Sequence, residues 1–298
     1  MMSENTVHLR RKIDSAKNLQ SVVRTMKAMA ASSISQYERS VHALADYYRT
    51  VELGLSVCLQ TTDTAPQMCT NAGPAEADTI LVIIFGSDQG LVGRFNDVVV
   101  NYAIKSLTTL PATPEIWAVG ERVHSRLTDA GLSLLDHFTV PNSVGAITQL
   151  VGQVLVQSEE RRRQGKMSEL HLFYNRPTFG SIYVPVSQRL LPLDAQWQQK
   201  LMELPWPTQN LPEAIGSDTG TLEALIREYF FASLFRACAE SLASENASRL
   251  AAMQRADKNI EDLLTNLGGT FQRQRQSNID EELFDVIAGF EALCGEGK

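Results

Sequence analysis

From Leu9 to Leu55 the chain contains no proline, with glycine only at Gly54, and beyond Gly220 proline does not occur again. Nothing local stops a helix at either end of this 298-residue chain. In the first stretch Leu9, Ile13, Ala16, Leu19, Val23, Met26, Ala30, Ile34, Tyr37, Val41, Leu44, Tyr48, Val51 and Leu55 recur at steps of three and four. The second carries the same alternation through Leu222, Leu225, Tyr229, Ala232, Phe235, Ala239, Leu242, Asn246, Leu250, Met253, Asp257, Ile260, Leu264, Leu267 and Phe271, and on through Ile279, Leu283, Val286, Phe290 and Leu293. Held over about six heptads, such a pattern is a coiled-coil seam rather than an ordinary amphipathic face. At ~1.5 Å per residue the helices would be on the order of 80 Å and 110 Å long, the second exceeding the first by roughly 20 residues. Neither can bury its stripe alone. Antiparallel pairing would recover about 1.5–3 kcal/mol per buried side chain, most of it offset by the cost of ordering the chain. Gly268-Gly269 interrupts the second pattern at about 1 kcal/mol per glycine relative to alanine, which makes it the place for a bend or a loosened turn.

Between the two ends the composition changes. Residues 59–78 turn to Thr, Pro, Ala, Gly and Asn and read as a linker, and Pro205, Pro207 and Pro212 mark a second over 205–220. The segment 79–204 alternates expected strands (79–85, 115–119, 170–174, 182–191) with expected helices (94–108, 120–130, 143–163), the pattern of a mostly parallel, doubly wound sheet. The expected fold is therefore α+β: a long antiparallel two-helix coiled coil built from residues 1–58 and 221–298, with an inserted Rossmann-like α/β domain.

The stretch "IIFGSDQGLVGRFN" (83–96) follows the first expected strand and invites a phosphate-cradle reading. Its glycines, Gly86, Gly90 and Gly93, match neither G-x-G-x-x-G nor the P-loop spacing, and Asp88 would repel a phosphate. A tight structural turn is the better reading, with Ser87 and Asp88 capping the following helix or turn and Gly90 within it. Cys58, Cys69, Cys238 and Cys294 form no C-x-x-C pair or metal-ligand cluster, so neither metal nor cofactor is expected. A net charge of -7 argues against a nucleic-acid binder. The charge is uneven: Arg10, Arg11, Lys12, Lys17, Arg24 and Lys27 crowd the first helix, whereas the stretch after 279 is acidic. A basic segment on an acidic protein points to an acidic macromolecular partner at that end, with a solvated helix face as the plain alternative. The N-terminus has no apolar signal-peptide core, and no apolar run approaches the roughly 20 residues needed to span a bilayer. These features predict a cytoplasmic protein that reaches a membrane only through partners.

Three segments resemble the gamma subunit of F-type ATP synthases. "LRRKIDSAKNLQSVVRTMKAMAASSISQ" (9–36) is similar to that family's N-terminal helix, and "GSDQGLVGRFN" (86–96) to its strand-to-helix turn. "EYFFASLFRACAESLASENASRLAAMQRADKNIEDLL" (228–264), continuing into "QRQRQSNIDEELFDVIAG" (272–289), is similar to its signature C-terminal helix. The resemblance implies a non-catalytic central rotor shaft inside a ring of alpha and beta subunits, with epsilon and a membrane c-ring as further partners, peripheral to the cytoplasmic face of a bacterial inner membrane. It implies that Met26 and Lys27 face the acidic lever of a beta subunit and that Arg275 and Gln276 meet a loop of another. Val286, Ile287, Phe290 and Leu293 would form an apolar bearing tip. Independently, Gln272 to Asn278 is a nearly all-polar gap in the repeat, a break that often marks a contact with something else. Arg94, Ser33 and Gly268-Gly269 depart from the family pattern and point to a divergent or ion-variant branch. The 59–78 linker is unlike the cysteine-bearing redox insertion of the chloroplast branch, so thiol control is not expected. The rival readings are a stand-alone structural coiled-coil adaptor, which would be a stable dimer, and a nucleotide-binding enzyme, which would bind ATP or NAD as an isolated chain.

Overall fold

A computed structural model describes residues 4–61, 79–110, 114–179, 181–193, 195–210, 212 and 218–295, without the side chains of residues 4, 61, 181, 218, 219 and 289–295. The linker expected at 59–78 lies outside the described residues from 62 onward, as does 213–217 of the second. The elements are α1 (Glu4–Thr61), β1 (Ile80–Phe85), α2 (Phe95–Leu107), β2 (Glu115–Val119), α3 (Glu121–Asp129), β3 (Leu134–Phe138), α4 (Val144–Arg163), β4 (Glu169–Thr178), β5 (Ser181–Leu191), α5 (Ala195–Met202) and α6 (Asp218–Gly295). At 78 residues against 58, α6 exceeds α1 by the 20 residues expected. The chain divides into two compact units, Met1–Met29 with Leu250–Lys298, and Ala30–Arg249.

In the unit Ala30–Arg249 the sheet order is β3-β2-β1-β4-β5. The first four strands are parallel, and β5 pairs antiparallel with β4 at the edge. All six residues of β1, "ILVIIF", are buried, because a central parallel strand is covered on both faces and needs no polar alternation. Strand geometry then sends alternate side chains into two cores. Leu81, Ile83, Phe85, Trp117 and Leu172 pack on one side with Ile147, Val151 and Val154 of α4, and with Leu55, Ile226 and Leu234 of the long helices. Ile80, Val82, Ile84, Ile116 and Phe173 pack on the other with Val99 and Ala103 of α2 and Val123 and Leu127 of α3.

α6 is buried almost without interruption from Tyr229 to Asn246. A helix enclosed on all sides cannot carry one apolar stripe, and its composition answers that with small residues: Ala232, Ser233, Ala237, Cys238, Ala239, Ser241, Ala243 and Ser244 let neighbouring layers approach closely. Alongside it, α1 runs antiparallel: Tyr47 bonds Glu228 at 2.5 Å and Tyr48 stacks on Tyr229 at 5.5 Å.

Two elements lie outside the sequence expectation. β3, "LLDHF", buries only its last residue, since an edge strand under one helix needs little apolar content. α5 is a short helix anchored by Leu201, too short to carry a periodic signal.

In the other unit the residues of α1 and α6 also pair antiparallel. Ala16, Val23, Met253 and Ile260 form the core, with Met26, Ala252, Ala256 and Leu264 against it. Buried seam positions seven residues apart are what heptad packing requires. Leu19, placed in the seam by periodicity, is 55% exposed; Gln20 takes the inward position and bonds Asp257 at 3.3 Å. The helix continues through Gly268-Gly269 without a break.

Candidate functional site

The 86–93 turn is consumed by internal bonds. Gly86 donates its N–H to Val119 O at 2.8 Å, and the Ser87 carbonyl accepts from Arg122 N at 2.8 Å. Asn96 closes the turn from α2: its Oδ1 accepts from Ser87 N at 3.0 Å, and its Nδ2 donates to Ser87 Oγ at 2.8 Å. Asp88 does not cap the helix that follows the turn. Its Oδ1 accepts from Glu121 N at the start of α3 (3.0 Å) and its Oδ2 from Val140 N beyond β3 (2.9 Å). The carboxylate thus sits at the N-terminus of α3, where the helix end favours a negative charge. Glycine is required for this closeness: a Cβ at Gly86 would lie 2.3 Å from Val123 Cβ, and one at Gly120, where φ is +117°, would lie 2.9 Å from the Ser87 backbone.

Beside the turn is a cavity of about 600 Å³ bordered by Gly90, Asn96, Arg122 and Arg126. Arg126 is already paired with Asp97 at 3.1 Å, and Asp129 also lines the wall, so the lining offers no net positive charge to a nucleotide.

Behind the turn, in the same unit, a polar joint fastens the sheet to α6. Asn175 Nδ2 donates to Phe95 O at 3.0 Å, Ser244 Oγ to Asn175 O at 3.0 Å, and Ser248 Oγ to Val92 O at 2.6 Å. Glu240 accepts from Arg176 Nε and Arg236 Nε, both at 2.8 Å. Glu245, 5% exposed, pairs with Arg249 at 2.5 Å. Burial pushes its carboxyl above the usual range, and the Arg249 charge opposes that. Its second oxygen has no hydrogen-bond partner among the described residues.

The remaining expected site residues lie in the unit of residues 1–29 and 250–298. Lys27 is not a free cation: its Nζ bonds Asp257 Oδ2 at 3.2 Å, while Arg24 Nε and Gln20 Nε2 reach Asp257 Oδ1 at 3.2 and 3.3 Å. The Lys27 bond, joined by Arg24 and Gln20, holds the Asp257 carboxyl below its usual range. Met26 is half-buried against the Ala16–Ile260 core. Leu19, Val22 and Met29 form an exposed apolar line on α1 at 55%, 55% and 65%.

Within the polar gap 272–278, Gln274 and Asn278 turn inward, and Asn278 Nδ2 donates to Thr6 Oγ1 at 3.1 Å. Arg275 and Gln276 are exposed. Asn278 pairs near the start of the described part of α1. Beyond it on α6, Ile279, Leu283, Phe284, Val286 and Ile287 are exposed at 45–70%. The side chains of Phe290 and Leu293 lie outside the described residues.

Sequence reasoning missed Asp257, Asn175, Ser244 and Ser248. The available signal was their polarity: Asp257, like Asn246, occupies a place in a mostly apolar repeat, and such residues are tolerated there only when paired. Among the described residues no group of His, Cys, Asp and Glu could hold a metal ion.

Fold and surfaces together define an α/β protein with long terminal helices: a doubly wound domain lies between them in the chain, its strand-to-helix turn is closed by internal bonds, and much of its exposed apolar surface lies on helix faces. The family model for ATP synthase matches residues 5–293, and the chain belongs to that family. It is 29% identical to the ATP synthase gamma chain of Hyphomonas neptunium, over 96% of this chain and 98% of that one. The gamma chain of Salinibacter ruber is likewise 29% identical, over 98% and 99%. Among solved structures it is similar to the rotor of the Euglena gracilis mitochondrial ATP synthase (TM-score 0.63, 18% identity, 92% of this chain and 99% of that one). It also resembles the central stalk of the Tetrahymena thermophila enzyme (TM-score 0.53, 22% identity, 79% and 99%). At such identities these likenesses speak to the fold.

Proposed function

We propose that this chain is the central shaft, the gamma subunit, of the F1 sector of an F-type ATP synthase. It is a non-catalytic subunit that turns inside a ring of alpha and beta subunits and joins them, with epsilon, to a membrane c-ring. The observation that carries this reading is the long α6, which exposes apolar side chains from Ile279 to Ile287 near its C-terminal end, in a chain that the family model spans almost end to end.

An asymmetric pair of helices presents a different face to each of several similar neighbours, so each neighbour is biased toward a different conformation by its own contact energy. That is how a subunit without bond-breaking chemistry can drive a catalytic ring. Met26 and Lys27 would meet the acidic lever of one beta subunit. Arg275 and Gln276 would meet a loop of another through charge-assisted hydrogen bonds. Val286, Ile287, Phe290 and Leu293 would turn in an apolar sleeve, where no directional bond locks the angle. Lys27 can serve only by sharing or exchanging its Asp257 bond. The protein is peripheral, on the cytoplasmic face of a bacterial inner membrane in this reading; among the described residues no helix is long and apolar enough to cross a bilayer.

Co-expression with alpha and beta subunits tests the proposal. Recovery of an ATPase-active complex holding one copy of this chain supports it. An isolated chain that is a stable dimer, or that binds ATP or NAD, contradicts it.

A further inference from the structure

Gly268 and Gly269 lie deep inside α6, where glycine weakens a helix. Glycine inside a packed helix normally has a steric reason, a backbone or side chain so close that no Cβ fits. Here there is none: a Cβ at either position meets nothing within 4 Å, whereas one at Gly86 would collide at 2.3 Å. Leu264, the last side chain of the core, is a turn away; Leu267, Gly268 and Phe271 are half-buried, whereas Gly269, Thr270, Gln272 and Arg273 face solvent. The backbone is helical through the pair, so no turn or left-handed conformation calls for glycine either. What two adjacent glycines change, when they change nothing in the packed state, is the ease with which the backbone leaves it. They widen the accessible φ/ψ range and remove side-chain shielding from the helical hydrogen bonds.

We propose that Gly268-Gly269 is a compliant joint in α6: a segment that bends, twists and opens more readily than the helix on either side, and so yields under load. The proposal rests on the shaft reading for its mechanical meaning, but the softness belongs to the chain itself and is measurable without that reading.

The experiment uses the full chain in its assembled complex and compares wild type with Gly268→Ala/Gly269→Ala, Gly269→Ala alone, and Thr270→Ala. The last adds helix propensity at an exposed neighbour without touching the pair. Amide hydrogen exchange should be faster across 266–273 than in the flanking turns of the wild type, and on the order of tenfold slower there in the double variant. Thr270→Ala should leave the contrast between 266–273 and its flanks in place. In single-molecule recordings the angular fluctuations of a probe carried by the chain at a catalytic pause should narrow in the glycine variants and not in Thr270→Ala. Uniform exchange along α6 in the wild type, or fluctuations unchanged by the double variant, would overturn the joint. Should the double variant fail to assemble, Gly269→Ala carries the same comparison. Failure of the chain to assemble with alpha and beta subunits at all would count against the shaft reading while leaving the exchange contrast as the test of the joint.

Discussion

Two carboxylates show how a residue's surroundings set its pH behaviour in opposite directions. Asp257 gathers Lys27, Arg24 and Gln20, and its proton affinity is lowered. A lowered folded pKa gives stability that is present above the unfolded value and lost as pH falls through the folded one. Asp257→Asn is therefore expected to lower the denaturant midpoint at neutral pH, with the difference from wild type shrinking on acidification below the ordinary aspartate range. A pH series of unfolding curves measures it. Glu245 is the reverse case: burial raises its proton affinity, so its contribution is full below the unfolded value and declines as pH rises through the folded one. Glu245→Gln should flatten that decline, and the same pH series reads it. Asp88 is a third kind, a carboxylate spent on two backbone N–H groups. Asp88→Ala leaves both donors without it and is expected to cost about 1–3 kcal/mol, seen in equilibrium unfolding without gain of nucleotide binding.

At the level of elements, the antiparallel pairing of α1 and α6 divides α6 into a packed part and a free part, and the two should respond differently to the same substitution. Ile260, 7% exposed, sits in a core with Ala16, Val23 and Met253; Ile260→Ala is expected to cost about 2–5 kcal/mol. Leu283, 56% exposed, should change the stability of the isolated chain by less than about 0.5 kcal/mol when replaced by alanine, yet weaken ATPase activity of the assembled complex. Paired unfolding and activity measurements separate the cases. How legible these elements were follows from their physics. The long helices were readable because a three-four alternation sustained over many turns matches the helical repeat and not the two-residue repeat of a strand, and β1 because six consecutive apolar residues have to be buried. The direction in which Leu19 points was not readable, since a three-or-four choice at one step depends on the partner helix, and Gln20 won that step by bonding Asp257. β3 and α5 were hidden because a half-exposed edge strand and a two-turn helix carry almost no periodic signal. The spacing of the turn's glycines argued against a phosphate cradle; that Asp88 reaches across to α3 was not visible, because its partners are backbone groups 33 and 52 residues away.

For the whole molecule, the proposal is that the chain works by contact alone, turning within a ring of alpha and beta subunits. The direct test is rotation. A probe bead attached at Val156→Cys, an exposed position on α4 (69%), in an immobilised complex with alpha and beta subunits should turn in one direction on addition of ATP, pausing at a small set of fixed angles, and stop when ATP is removed. ATP hydrolysis by that complex with the bead stationary would contradict the account.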